Sequence, residues 1–212
     1  MTPDSCIILL LVLDDVFNCS GAEGASLNTL FEAAGEISAF MLERGWSFCV
    51  IGGLAVQQWG EPRTTLDAAL TLLAEWGQEA PYVEALLDRF ESRIADAREF
   101  ALVHRVLLLR ASNGKDVDVA LGALPFEVEM MRRAQEMEFA PGLTLPCCTA
   151  EDLFVMKAFA GRERDWLDAE SIVRRQARLD ESYVLGHLRD LFELKDAPES
   201  LARAVRLLKE NA

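Results

Sequence analysis

Histidine is nearly absent from this 212-residue chain: His104 and His187 are its whole complement, too few for a histidine-rich zinc centre. No Gly-x-Ser-x-Gly stretch is present, so nothing supports a serine-hydrolase elbow. The five cysteines, Cys6, Cys19, Cys49, Cys147 and Cys148, contain no Cys-x-x-Cys pair. An odd count without regular spacing is not a disulfide framework, and a reducing cytoplasm is the expected setting. Basic residues are outnumbered, 21 against 35 acidic ones, and the net charge of −14 argues against a protein that coats long nucleic acid. The first basic side chain is Arg44, so the positive region of a secretory leader is missing. The run CIILLLVL over 6–13 is too short to span a bilayer, and no membrane partner is expected. There is no internal repeat and no low-complexity tract.

What is present is enough apolar material, 51% of residues, for one sizeable core. The expected organisation is an N-terminal arm over 1–26, an α/β core over 27–146 and a helical region over 147–212 packed on that core. Ser26 is placed to cap a helix over 27–44 that Gly45 closes. A second helix is expected over 81–91. A strand over 100–109 should be joined through Ser112-Asn113-Gly114 to a strand over 116–121, because Asn-Gly between apolar runs signals a hairpin. Pro125 opens a helix expected to reach Met137. Pro141-Gly142 makes a turn before a short extended piece over 143–147. Thr149, with Asp152 three residues on, forms a capping box for the next helix. Cys147 and Cys148 read as packing residues. Two amphipathic helices separated near Pro198 end the chain.

Two stretches carry chemistry. In the first, the apolar run Cys49 to Ile51 meets Gly52-Gly53 and then a helical segment over 54–59, a corner whose exposed amides suit a polyphosphate. Asp67 follows on an expected strand, where residues two apart share a face, so Asp67 and Ala69 point the same way. Asp116 and Asp118 share a face of the second hairpin strand. The second stretch is a helix bearing Lys157, followed by Arg162, Arg164, Asp165 and Asp168. A lysine on an apolar helix face implies an acid or phosphate within reach, and Arg164 can fork onto a carboxylate. An Arg–Asp network pinning two helices is the competing role. Arg174, Arg175 and Arg178 extend this basic cluster, which is expected to guide a nucleic-acid end to the site, with Glu163, Asp165, Asp168 and Glu170 opposing it.

The Gly52-Gly53 turn, the gap to Asp67 and the strand bearing Asp118 together resemble the nucleotidyltransferase superfamily. Arg63-x-Thr65-x-Asp67 and the Lys157 to Asp168 segment are similar to its AbiEii-type toxin branch. The resemblance implies a nucleotidyltransferase-like mixed sheet with flanking helices and a C-terminal helical part. It implies metal ligation by Asp67 and Asp118, with Asp116 as the reserve for the latter, two Mg²⁺ ions and an NTP, and phosphate neutralisation by Lys157 with Arg63. Gly52, Gly53, Arg63, Thr65, Arg162, Arg164, Asp165 and Asp168 become substrate-binding positions. The implied reaction moves a nucleoside monophosphate to an RNA end such as tRNA, or to a protein hydroxyl, and an antitoxin is the implied partner. Ala69 stands where this pattern has a second carboxylate, so impaired transfer is expected, with Ala69→Asp restoring it. The alternatives are a non-catalytic binding protein on the same fold and a small-molecule (antibiotic) nucleotidyltransferase.

Overall fold

The computed structural model describes residues 27–195 and 197–210; the arm over 1–26 and the Ser26 cap lie outside them. Helix α1 (Leu27–Glu43) ends at Gly45, which takes a left-handed φ of 67°. Strand β1 (Phe48–Ile51) runs directly into α2 (Gly52–Trp59), and β2 (Ala68–Leu73) returns antiparallel to β1. Then come α3 (Ala80–Arg89), β3 (Glu91–Ser92), α4 (Ala97–His104), β4 (Val106–Arg110) and β5 (Asp116–Gly122). After α5 (Pro125–Arg133) a hairpin of β6 (Gln135–Ala140) and β7 (Leu143–Cys147) leads to α6 (Ala150–Ala160), α7 (Glu163–Arg175), α8 (Glu181–Lys195) and α9 (Pro198–Glu210).

Among the described residues seven strands form one mixed sheet in the order β3-β4-β5-β2-β1-β7-β6. β2 runs parallel to β5 with Ala69 opposite Asp118 and Leu70 opposite Val119, and β4 and β5 form the expected hairpin. Side chains alternate across the sheet. Leu70, Leu72, Val117, Val119 and Leu121 are fully buried in the core to which α1 gives Leu30, Ile37 and Met41. The positions between them, Ala69 on β2 and Asp118 on β5, fall on the other face.

The expected strand over 100–109 is instead a helix and a strand, α4 and β4, parted at Arg105. Arg105 adopts φ 55°, closing α4 with its amide on the Ala101 carbonyl. Only tertiary contacts hold a non-glycine residue there: its guanidinium donates to Leu121 O and Ala74 O, both at 2.8 Å, ion-pairs with Glu79 and lies over the Trp76 ring. The helix expected to reach Met137 stops at Arg133. The remainder is edge strand β6, whose exposed Glu136 and Glu138 protect an open sheet edge. Thr149 does cap α6: its Oγ1 accepts from Asp152 N at 3.3 Å, and Asp152 Oδ2 accepts from Thr149 N at 3.2 Å. Cys147 and Cys148 are buried. Among the described residues no helix is long and apolar enough to cross a membrane.

Candidate functional site

At the end of β1 the chain turns into α2 without a side-chain cap, since Ile51 occupies the cap position. The first-turn amides of α2 therefore meet no capping oxygen from that residue. Gly52 needs its freedom: φ is +61°, and a Cβ there would lie 3.0 Å from that of Ala69. Gly53 is required for space, because a Cβ would fall 2.3 Å from Thr65 Oγ1. Thr65 thus seals the turn from the side, and its hydroxyl lies 3.4 Å from Asp67 Oδ1.

These residues wall a cavity of about 90 Å³ together with Asp118, Leu153, Met156 and the cationic side of α6 and α7. Gly52, Gly53, Arg63, Thr65, Asp67, Ala69, Asp118, Lys157, Arg162, Arg164 and Asp165 all line it. Asp168, Asp116 and the outlying Arg174, Arg175 and Arg178 do not. Asp67 stands just before β2 rather than on it, yet keeps its place beside Ala69.

Asp168 is the hub that holds one wall in place. It is buried and takes Arg63 in a two-pronged pair, Nε to Oδ1 at 2.6 Å and Nη2 to Oδ2 at 2.7 Å, while Lys157 Nζ sits 2.9 Å from Oδ2. Burial alone would raise its pKa, but the Arg63 hydrogen bonds and the Lys157 charge outweigh that and hold it below the usual aspartate value. Lys157 also donates to Asp165 Oδ1 at 2.8 Å. The ammonium is therefore partnered by carboxylates within the protein.

Helix α7 clamps segment 60–64 at several points. Arg164 donates to Thr64 O at 2.9 Å, Ser171 Oγ accepts from Glu61 N at 3.1 Å, and Arg175 donates to Gly60 O at 2.5 Å. Arg174 faces Glu170 at 3.1 Å and Glu61 at 3.6 Å. Much of the basic cluster expected to guide a nucleic-acid end is thus engaged in holding this loop. Arg164, exposed and bonded to a neutral carbonyl, remains a cation at the cavity rim. Among the described residues Asp165 Oδ2 is buried without a hydrogen-bond partner, with Arg162 Nη1 at 3.8 Å.

Sequence reasoning missed Arg93. Just past β3, its amide donates to Leu108 O at 2.9 Å, and Leu108 pairs with Asp118 across β4 and β5. The guanidinium ion-pairs with Asp118 and donates to Asp116 Oδ2 at 3.1 Å. No local motif announces this; only the sheet order reveals it. The donor set does not fit the two Mg²⁺ ions that the resemblance implies. Ala69 offers no oxygen, Asp118 is engaged by a cation, and no group of three or more metal-ligating side chains occurs among the described residues.

No protein-family model matches the chain, and no curated protein does. Among solved structures it is similar to an antigenic nucleotidyltransferase-like protein from Paracoccidioides brasiliensis, with TM-score 0.51 and 14% identity over 83% of this chain and 93% of that one. It also matches the antibiotic-resistance factor ANT(2'')-Ia, with TM-score 0.46 and 14% identity over 87% of this chain and 94% of the other. A third match is the lincosamide antibiotic adenylyltransferase LnuA, at 0.44 and 12% over 68% and 97%. The first of these carries the assignment of the fold, which is nucleotidyltransferase-like.

Proposed function

We propose that this chain binds a nucleoside triphosphate at the Gly52-Gly53 corner, on an AbiEii-like variant of the nucleotidyltransferase fold. The parent activity of that branch is transfer of a nucleoside monophosphate from an NTP to an RNA end, such as that of tRNA, or to a protein hydroxyl, with pyrophosphate as the leaving group. In this chain transfer is impaired by Ala69. The observation that carries the reading is the convergence on one cavity of the uncapped α2 N-terminus, Asp67 and the rim cation Arg164.

The amides of α2 and its dipole attract phosphate oxygens. Arg164 supplies a planar fork for a second phosphate group at the rim. The enclosed volume of about 90 Å³ lies well below the roughly 300–1,000 Å³ of sites that engulf a small molecule, so base and sugar rest outside it. Gly53 and Thr65 shape the corner, while Arg63, Lys157 and Asp168 fix its wall.

A non-catalytic binding protein is the second reading, and the engagement of Asp118 by Arg93 favours it. Incubation with each labelled NTP and Mg²⁺, with total RNA or cell lysate as acceptor, separates the two. The impaired-transferase reading expects label in RNA or protein at a rate about a hundred- to ten-thousandfold below an ordinary enzyme turnover of ~10 per second. Label in neither fraction, with nucleotide still bound, leaves the binding protein. Label appearing only on a small molecule overturns the macromolecular acceptor and any antitoxin-partnered toxin role with it.

A further inference from the structure

We infer that Arg93 is the resident cation of this site: its guanidinium occupies the charge-balancing position at Asp118, so that a divalent ion is excluded there by the protein itself. The inference deepens the reading of the same cavity but does not depend on nucleotide binding.

Three observations converge on it. Asp118 is almost wholly buried, with a side chain 1% exposed, and a carboxylate so placed demands a counter-charge. Arg93 supplies that charge from a side chain only 9% exposed, and the same guanidinium reaches Asp116, so one cation serves two acids on one strand face. Finally, the residue in register with Asp118 on β2 is Ala69, which contributes a methyl group to the wall. An ion at Asp118 would need further oxygens from its neighbours, since hard divalent cations take about six to eight. Register offers none from Ala69, and Arg93 repels the ion at close range.

The arginine and the alanine are consistent with each other. With a carboxylate at position 69 beside Asp118, two acids would face one another across adjacent strands with Arg93 between them, while Asp116 is also held by Arg110 at 3.2 Å. With alanine there, the Arg93–Asp118 pair is balanced as it stands. Both the oxygen at 69 and the freedom of Asp118 must therefore change for a metal site to exist. The simple expectation that Ala69→Asp alone restores function is replaced by a two-residue requirement.

The test is a Mn²⁺ titration followed by electron paramagnetic resonance, on the full chain and without nucleotide. Ala69→Asp alone should leave Mn²⁺ weakly held. Ala69→Asp with Arg93→Gln should bind it at least about tenfold more tightly. Equal affinity in the single and double variants overturns the inference. Should the double variant fail to fold, the thermal melt of the unmodified chain decides: no rise in melting temperature on adding Mg²⁺ is expected. A rise that vanishes in Asp118→Asn means that Asp118 already holds the ion and that Arg93 does not exclude it. Because neither measurement contains nucleotide, a failure here is distinguishable from a failure of nucleotide binding.

Discussion

Replacing Asp168 by alanine is expected to lower the melting temperature by roughly 10 °C. The carboxylate is 3% exposed and is shared by Arg63 and Lys157, whose side chains are 24% and 13% exposed. Removing it takes from Arg63 and Lys157 the anion they share and leaves Lys157 with Asp165. Breaking a buried pair in this way costs about 3–5 kcal/mol, and in a chain of this size each kcal/mol moves the midpoint by about 2–4 °C. The same interaction sets a pH dependence. The pKa of Asp168 is held below its unfolded value, so its stabilisation is complete above about pH 4 and is lost as pH falls through the depressed folded value. Glu79, lowered by its own and the Gly77 amides and by Arg105 against an opposing effect of burial, acts in the same sense. The alanine variant should therefore show a flatter loss of stability between pH 4 and lower values, read by calorimetry across that range. A shift within experimental scatter at neutral pH would mean that the wall of the cavity does not rest on this residue.

The second large effect is expected at Gly53. A methyl group there would overlap Thr65 Oγ1 at 2.3 Å and Thr65 Cβ at 2.8 Å, so rotating the threonine does not relieve it. Gly53→Ala should destabilise by about 1–3 kcal/mol through overpacking. It should also displace the segment that presents Asp67 and Arg63 and weaken nucleotide binding. Thr65→Gly removes the obstructing atoms. In the double variant much of the loss due to Gly53→Ala should disappear, a non-additivity that a double-mutant cycle on melting temperature and nucleotide affinity measures. Strict additivity would show that the two residues do not share this contact.

The elements that were legible in the sequence are those with local causes. Asn113-Gly114 between apolar runs specifies the β4–β5 hairpin, Thr149 and Asp152 cap α6, and the Gly52-Gly53 turn joins β1 to α2. Parity placed Asp67 with Ala69, and the sheet register then brought Asp118 beside them. What was not legible has distant causes. The apolar run over 100–109 reads as one strand because its break depends on Arg105 being held left-handed by Glu79, Ala74 and Leu121, which lie 16 to 31 residues away. β6 alternates apolar Met137 and Phe139 with glutamates, but follows a helix without a breaker. Arg93 reaches Asp118 only because β3, β4 and β5 are sheet neighbours, a fact of topology rather than of spacing. For Arg164, Asp165 and Asp168 the motif indicated both the cavity and the scaffold, and the structure assigns Asp168 to the scaffold alone.

Equilibrium dialysis of labelled ATP, GTP, CTP and UTP against the unmodified chain and Arg164→Glu tests the central claim most directly. Arg164 is exposed and among the described residues bonds to the Thr64 carbonyl, one of several clamps on that loop, so its reversal should leave the fold intact while replacing a rim cation with an anion. The account predicts saturable binding of at least one nucleotide, displacement of that nucleotide by inorganic triphosphate, and a loss of affinity of about tenfold or more in Arg164→Glu. If none of the four nucleotides binds at millimolar concentration, or if the folded Arg164→Glu protein binds as tightly as the unmodified chain, the Gly52-Gly53 cavity is not a nucleotide site.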